Sequence, residues 1–149
     1  MAWHYSRRST RNLNECHLHL IHLAHKGLAR SPYDLGISDG GRTIEEQRHF
    51  LEIGASHTMR SRHRYAWPLT PAGNKIRTYQ DPVSHAFDFM VYINGKVQWQ
   101  FGLYQQVWDE VWKPLAQELG YAVNWGGNWR SKDGPHIQLS WQDYPARYA

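Results

Sequence analysis

The most constraining stretch of the chain is Phe87-Asp88-Phe89-Met90-Val91-Tyr92-Ile93, where aromatic, aliphatic and β-branched side chains surround a single carboxylate. Such a run reads as a β-strand. Asn94-Gly95 follows it, and Lys96-Val97-Gln98-Trp99 resumes the extended pattern. Asn-Gly between two such runs marks a two-residue hairpin, because both turn positions need positive φ. Asp88 is costly to bury unless a cation or hydrogen bonds compensate its charge. Two other segments carry groups able to do so: Ser61-Arg62-His63 upstream, and Asp133-Gly134-Pro135-His136 downstream, which leads into the strand-like Ile137-Gln138-Leu139. His63, Asp88 and His136 together would make a two-histidine, one-carboxylate zinc site with a position left open for water. That ligand count belongs to catalytic rather than structural zinc.

The remaining segments suggest what surrounds this strand. Met1 to Asn12, rich in Arg and Ser, reads as a flexible tail, and the apolar spacing from Leu13 to Ala29 predicts a helix with Asn12 as N-cap. His22 and His25 within it could bind metal at i and i+3, but no acidic base sits between them, and a solvent-facing histidine stripe is the plainer reading. Leu35 to Arg42 reads as a short strand. Thr43 with Glu46 forms a capping box that opens a helix from Ile44 to Ile53, closed by Gly54. Arg42 thus falls at a strand-to-helix junction, a place from which side chains often enter a site, although a surface arginine would fit equally. Leu103, Tyr104, Val107, Trp108, Val111, Leu115 and Leu119 trace one helical face, with Pro114 expected to kink it and Gly120 to end it. Tyr121 to Trp125 and His136 to Trp141 read as strands. Helices mixed with antiparallel strands and no βαβ alternation predict an α+β fold, a small antiparallel sheet flanked by helices.

A chain of 149 residues is one domain's worth, so a single domain over 1–149 is expected. The formal net charge of +4 favours an anionic partner. Cys16 is the only cysteine, which excludes an intramolecular disulfide and a cysteine-based zinc knuckle. The first residues show no apolar core of a secretory signal, and no stretch is long and apolar enough to span a membrane. A soluble monomer without stable membrane insertion is the expectation.

The segments Gly41-Arg42-Thr43, Ser61-Arg62-His63, Ser84-His85-Ala86-Phe87-Asp88 and Asp133-Gly134-Pro135-His136, in this order, resemble the zinc peptidases that include VanY-type D,D-carboxypeptidases and the L-alanyl-D-glutamate endopeptidases of phage endolysins. The Tyr92-Ile93-Asn94-Gly95-Lys96 stretch and the Asn124-Trp125-Gly126-Gly127-Asn128-Trp129 turn favour the endolysin branch. The resemblance implies Zn2+ as cofactor, held by His63, Asp88 and His136. It implies Asp133 as general base and Arg42 as the residue that binds substrate or stabilises the developing oxyanion. It also implies an enzyme made in the host cytoplasm without a signal peptide, which acts on the periplasmic wall after release and has bacterial peptidoglycan as its partner.

Two departures from the family pattern stand out. His63 and Asp88 lie 25 positions apart, where the family has them within one continuous motif, so 64–83 reads as an inserted loop. Its prolines, glycine and basic residues suggest a mobile flap beside the cleft. Ser84 stands where the family commonly has Gly. The insertion makes His57 and His85 rivals of His63. His57 lacks the Ser-Arg-His context, and His85, three residues before Asp88 on a strand, would point to the opposite face. The leading function is hydrolysis of the L-alanyl-D-glutamate bond of the wall peptide, with a D,D-carboxypeptidase on the same scaffold as the alternative. A non-catalytic wall-binding module leaves Asp133 unexplained. Nucleic-acid binding through Arg60 to Tyr79 leaves the whole zinc constellation unexplained, so no nucleic-acid partner is expected.

Overall fold

The computed structural model describes residues 2–149. Its centre is the predicted strand, here β3 (Ala86–Ile93). Strand alternation splits β3 into two faces. Phe87, Phe89 and Val91 are fully buried on one; Asp88, Met90 and Tyr92 lie on the other and are partly open. The aromatic neighbours of Asp88 in sequence are therefore not its surroundings in space. The antiparallel sheet runs β1 (Asp34–Asp39), β3, β6 (His136–Leu139), β5 (Val123–Trp125), with β4 (Lys96–Gln98) paired to the far end of β3. Asn94 and Gly95, at φ 52° and 74°, make the predicted hairpin turn.

Helices cover the Phe87 face. The core joins Phe87, Phe89, Leu35, Ile37, Ile137 and Leu139 of the sheet to Leu20, Leu23 and Leu28 of α2 (Leu18–Arg30) and to the helical run after β4. That run is α4 (Phe101–Val107), a π-helical turn (Trp108–Trp112) and α5 (Lys113–Leu119). Pro114 acts as the sequence suggested, with a specific form. It has no N–H for the carbonyl four residues back, and the chain widens just before it, so that Lys113 N–H reaches Trp108 O. Gly120, at φ 76°, ends the run. Trp112 is fully buried, and its ring lies where any side chain at Gly27 would stand. That close approach accounts for a glycine in mid-helix despite its cost of about 1 kcal/mol.

Three expectations need correction. The N-terminal segment is not a free tail: Arg7–Asn14 forms α1, capped by Ser6, with Ser9 and Leu13 buried. Its side chains stitch it to β1, since Ile37 N–H donates to Ser9 Oγ and Asn12 Nδ2 donates to Ile37 O, both at 2.9 Å. The single helix expected from Leu13 to Ala29 is broken at Glu15–His17. There the backbone pairs with Ser84 instead, and His17 caps α2 by accepting from His19 N–H. The 64–83 segment, expected as a mobile flap beside the cleft, lines no part of it and is partly sheet. It carries β2 (Ala66–Pro68), paired with the unforeseen β7 (Ala146–Tyr148), and it returns to the body where Ala66 and Val83 exchange backbone hydrogen bonds. The predicted capping box of Thr43 and Glu46 opens α3 (Ile44–Glu52).

Candidate active site

The site lies on the open face of the sheet, where three strands set acidic and imidazole groups in a row. Asp88 on β3 is registered directly opposite His136 on β6, so their side chains share a face. On the other side Asp88 neighbours Asp39 of β1, past an irregularity between Ile37 and Asp39. His63 comes from a loop wedged between two elements. Arg42 N–H donates to His63 O at 2.8 Å, and His85 N–H donates to Arg62 O at 2.8 Å.

His63 Nε2, His136 Nδ1 and Asp88 Oδ1 converge, with separations of 3.1 Å between the imidazoles and 3.1 and 3.3 Å from each to the carboxylate. All three donor atoms lie within 4.8 Å of one another. Each ring is oriented through its other nitrogen. His63 Nδ1 donates to Gly40 O at 2.7 Å, and His136 Nε2 faces Gln138 Oε1 at 2.8 Å. These outer partners fix the tautomers so that a lone pair from each ring points at Asp88. With those tautomers the two ring lone pairs and the carboxylate converge, an arrangement that a cation satisfies, whether a proton or a metal ion. The protein's own charges give the same sign. Burial works against protonating His63, but the Asp88 carboxylate outweighs it and raises the imidazole above its ordinary pKa. Burial likewise works against an ionised Asp88, yet the two imidazoles hold it well below the usual carboxylate range. Two histidines and a carboxylate suit zinc, leaving an open position.

Asp133 stands on the turn before β6, where its N–H donates to Gly126 O and its carbonyl accepts from His136 N–H. Partial burial raises its carboxyl pKa, and the Asp88 carboxylate adds to the effect. Arg42 is held in one plane. Nε and Nη2 donate to Asp39 Oδ2, Nη1 donates to Gln47 Oε1 at 3.1 Å, and the guanidinium lies 4.2 Å from the Phe50 ring centroid. Three of its five N–H groups are engaged, which leaves one on each Nη. Arg42, His63, Asp88, Asp133 and His136 all line one cleft of about 790 Å³. No residue of 64–83 lines it.

The rivals are placed apart. His85 is fully buried on the other side of β3, and His57 is exposed at the cleft edge; neither joins the cluster. His22, exposed on α2, bonds Tyr121 through its ring. Sequence reasoning missed Asp39, Gln47 and Gln138. Gln138 had a signal, since a residue two after His136 on a strand shares its face. Asp39 had none, because its pairing depends on the irregularity in β1.

The chain matches the family described as phage L-alanyl-D-glutamate peptidase over residues 1–144. It belongs to that family. The L-alanyl-D-glutamate peptidase of Escherichia phage T5 is 25% identical over 93% of this chain and 99% of its own length. The enzyme of the same name from Listeria phage A118 is 29% identical over 97% of this chain but only 45% of its own length. Among solved structures, the Serratia marcescens L-Ala D-Glu endopeptidase ChiX superposes with a TM-score of 0.75 at 34% identity, covering 96% of this chain and 95% of that one. The α+β fold read from the sequence is thus the fold of this structural relative.

Proposed function

We propose that this member of the phage L-alanyl-D-glutamate peptidase family hydrolyses the L-Ala–D-Glu bond of bacterial peptidoglycan as a zinc peptidase. His63, Asp88 and His136 would hold the metal, Asp133 would act as general base and Arg42 as the oxyanion or substrate donor. The observation that carries this is the convergence of His63 Nε2, His136 Nδ1 and Asp88 Oδ1, with the opposite nitrogen of each ring already committed. A bound zinc ion supplies Lewis-acid polarisation and acidifies water to near neutrality.

The chain's own groups do the rest. Asp133, its carboxyl pKa raised by burial and by Asp88, is a stronger base than an exposed aspartate and takes the proton of the attacking water. It then returns that proton to the leaving amine. Arg42 cannot swing away, because Asp39 and Gln47 hold three of its N–H groups; the two that remain can donate to a substrate oxygen without reorganising. Trp129, with its ring centroid 4.8 Å from that of His136, lines the cleft beside the cluster.

Mass spectrometry of purified peptidoglycan after digestion tests the reading directly. New L-Ala carboxyl ends and D-Glu amino ends are expected, with their release abolished by chelator and restored by zinc. Release of terminal D-Ala instead would make the chain a D,D-carboxypeptidase on this scaffold.

A further inference from the structure

Four cationic side chains line the cleft, and they are not equivalent. Arg42 is engaged by Asp39 and Gln47. Arg62, only 3% exposed, donates to the carbonyls of Leu139, Ser140 and Tyr144. Lys132 Nζ donates to Gly127 O at 3.2 Å. Arg60 is exposed, and among the described residues its guanidinium donates to no carbonyl or carboxylate; it lies 4.7 Å from the Trp141 ring centroid, and that of Arg62 lies 4.1 Å from the same ring. The aromatic surface continues away from the cleft, because Trp141 meets Tyr148 edge-on at 6.3 Å. Arg64 lies over Tyr148 at 4.1 Å, and its Nε is buried without a hydrogen-bond partner. Among the described residues no ion pair to a carboxylate engages Arg60, Arg62 or Arg64.

Three arginines at alternate positions, gathered on two rings without a compensating acid, form a place of concentrated positive charge. Arg62 is buried and braces the fold. Stacking fixes the planes of the other two, and a planar guanidinium fork matches a carboxylate in two-point contact. We propose that Arg60 and Arg64, held on Trp141 and Tyr148, form a carboxylate-binding subsite that extends the cleft and takes an acidic group of the substrate polymer away from the scissile bond. This rests on the reading of the chain as a peptidoglycan peptidase. The chemistry of that substrate provides the partner: a glutamate joined to alanine through its amine has two carboxyl groups, and only one can continue the peptide. The other is a free carboxylate unless it is amidated, and it recurs with every peptide arm of the polymer.

The test compares the wild type with an Arg60→Gln/Arg64→Gln double variant and with the charge-preserving Arg60→Lys/Arg64→Lys variant. Each is checked by thermal melting. Cosedimentation with purified peptidoglycan gives the affinity, and a short soluble peptide holding only the scissile L-Ala–D-Glu bond gives the intrinsic rate. Loss of two charge contacts, one exposed and one half-buried, should weaken binding to the polymer by about tenfold, with the lysine variant closer to wild type. Turnover of the short peptide should stay within about twofold. Polymer whose carboxylates have been amidated with carbodiimide should bind the wild type as weakly as it binds the glutamine variant. If the double variant fails to fold, Arg60→Gln alone, on an exposed side chain, should weaken polymer binding by about threefold. Unchanged polymer binding by the folded glutamine variant would overturn the subsite, as would wild-type binding indifferent to amidation. Equal losses on polymer and short peptide would also overturn it, by placing the arginines at the scissile bond. A wild type that binds polymer through these arginines but cleaves neither substrate would instead reject the peptidase reading and leave the subsite standing.

Discussion

The two faces of β3 each carry a histidine cluster, built from the same residue type at similar depth. On the open face His63 and His136 have ring centroids 4.9 Å apart, share Asp88, and are turned by Gly40 O and Gln138. Beyond the opposite face, His17 and His85 have centroids 5.5 Å apart, with His19 4.9 Å from His17. There the neighbours are rings: Tyr79 and Tyr144 pack on His17, and both nitrogens of His85 are buried without partners. The electrostatic outcomes are opposite. Asp88 raises the pKa of His63, whereas burial drives His17 and His85 down to about 3, helped for His85 by Arg62 and for His17 by His19. Proximity of imidazoles therefore does not by itself make a candidate metal site; a shared anion and a fixed outer hydrogen bond on each ring set the open-face cluster apart.

The sharpest way to break this contrast is to remove one histidine from each cluster. His136→Ala should abolish both zinc content and wall hydrolysis, while His85→Ala, measured as metal per folded chain, should retain the ion. Metal loss from His85→Ala with retention in His136→Ala would reverse the assignment. Next in size is Asp133→Asn, which keeps the shape but cannot take a proton. Zinc should stay bound and turnover should fall about a hundred- to ten-thousand-fold. Near-normal turnover by the zinc-loaded variant would show that another group is the base. Gln138→Leu probes the orienting bond rather than a ligand, and zinc affinity by competition titration should weaken about 10- to 100-fold. No change there would mean that the His136 ring is held by packing alone.

The last effect concerns stability rather than the site and belongs to the second cluster. A histidine whose folded pKa lies below its unfolded value binds its proton only in the unfolded chain between the two. Stability is then complete above about pH 6.5 and is lost as pH falls toward about 3. The slope is about 1.4 kcal/mol per pH unit for each such histidine. Denaturant melts across that window should show His85→Leu with a shallower slope than the wild type; parallel slopes would mean that His85 is protonated in the fold.

The site was more legible in the sequence than the scaffold around it. Asp88, His136 and Asp133 sit in or beside strands whose alternation can be read directly, and the Asn94-Gly95 turn fixes where β3 ends. His63 lay across a segment without periodicity; residue context distinguished it from His57, and strand alternation from His85. The scaffold was harder to read because its decisive bonds are long-range. The break at Glu15–His17 follows from pairing with Ser84, and β2 exists because β7 lies beside it more than seventy residues later. Local spacing holds no trace of such partners. The 64–83 segment seemed loose for the same reason, since only pairing with the end of the chain turns part of it into sheet.

The position of β6 in the sheet has a consequence for timing during synthesis. His136 belongs to a strand that lies between β3 and β5, yet it is made after both. Until a ribosome has passed residue 139, the growing chain has a gap in its sheet, two bare strand edges and at most two of the three convergent donors. Long-range pairing of this kind closes late. Nascent fragments thus lack the assembled His63–Asp88–His136 cluster, which is completed in one step as the last interior strand is inserted.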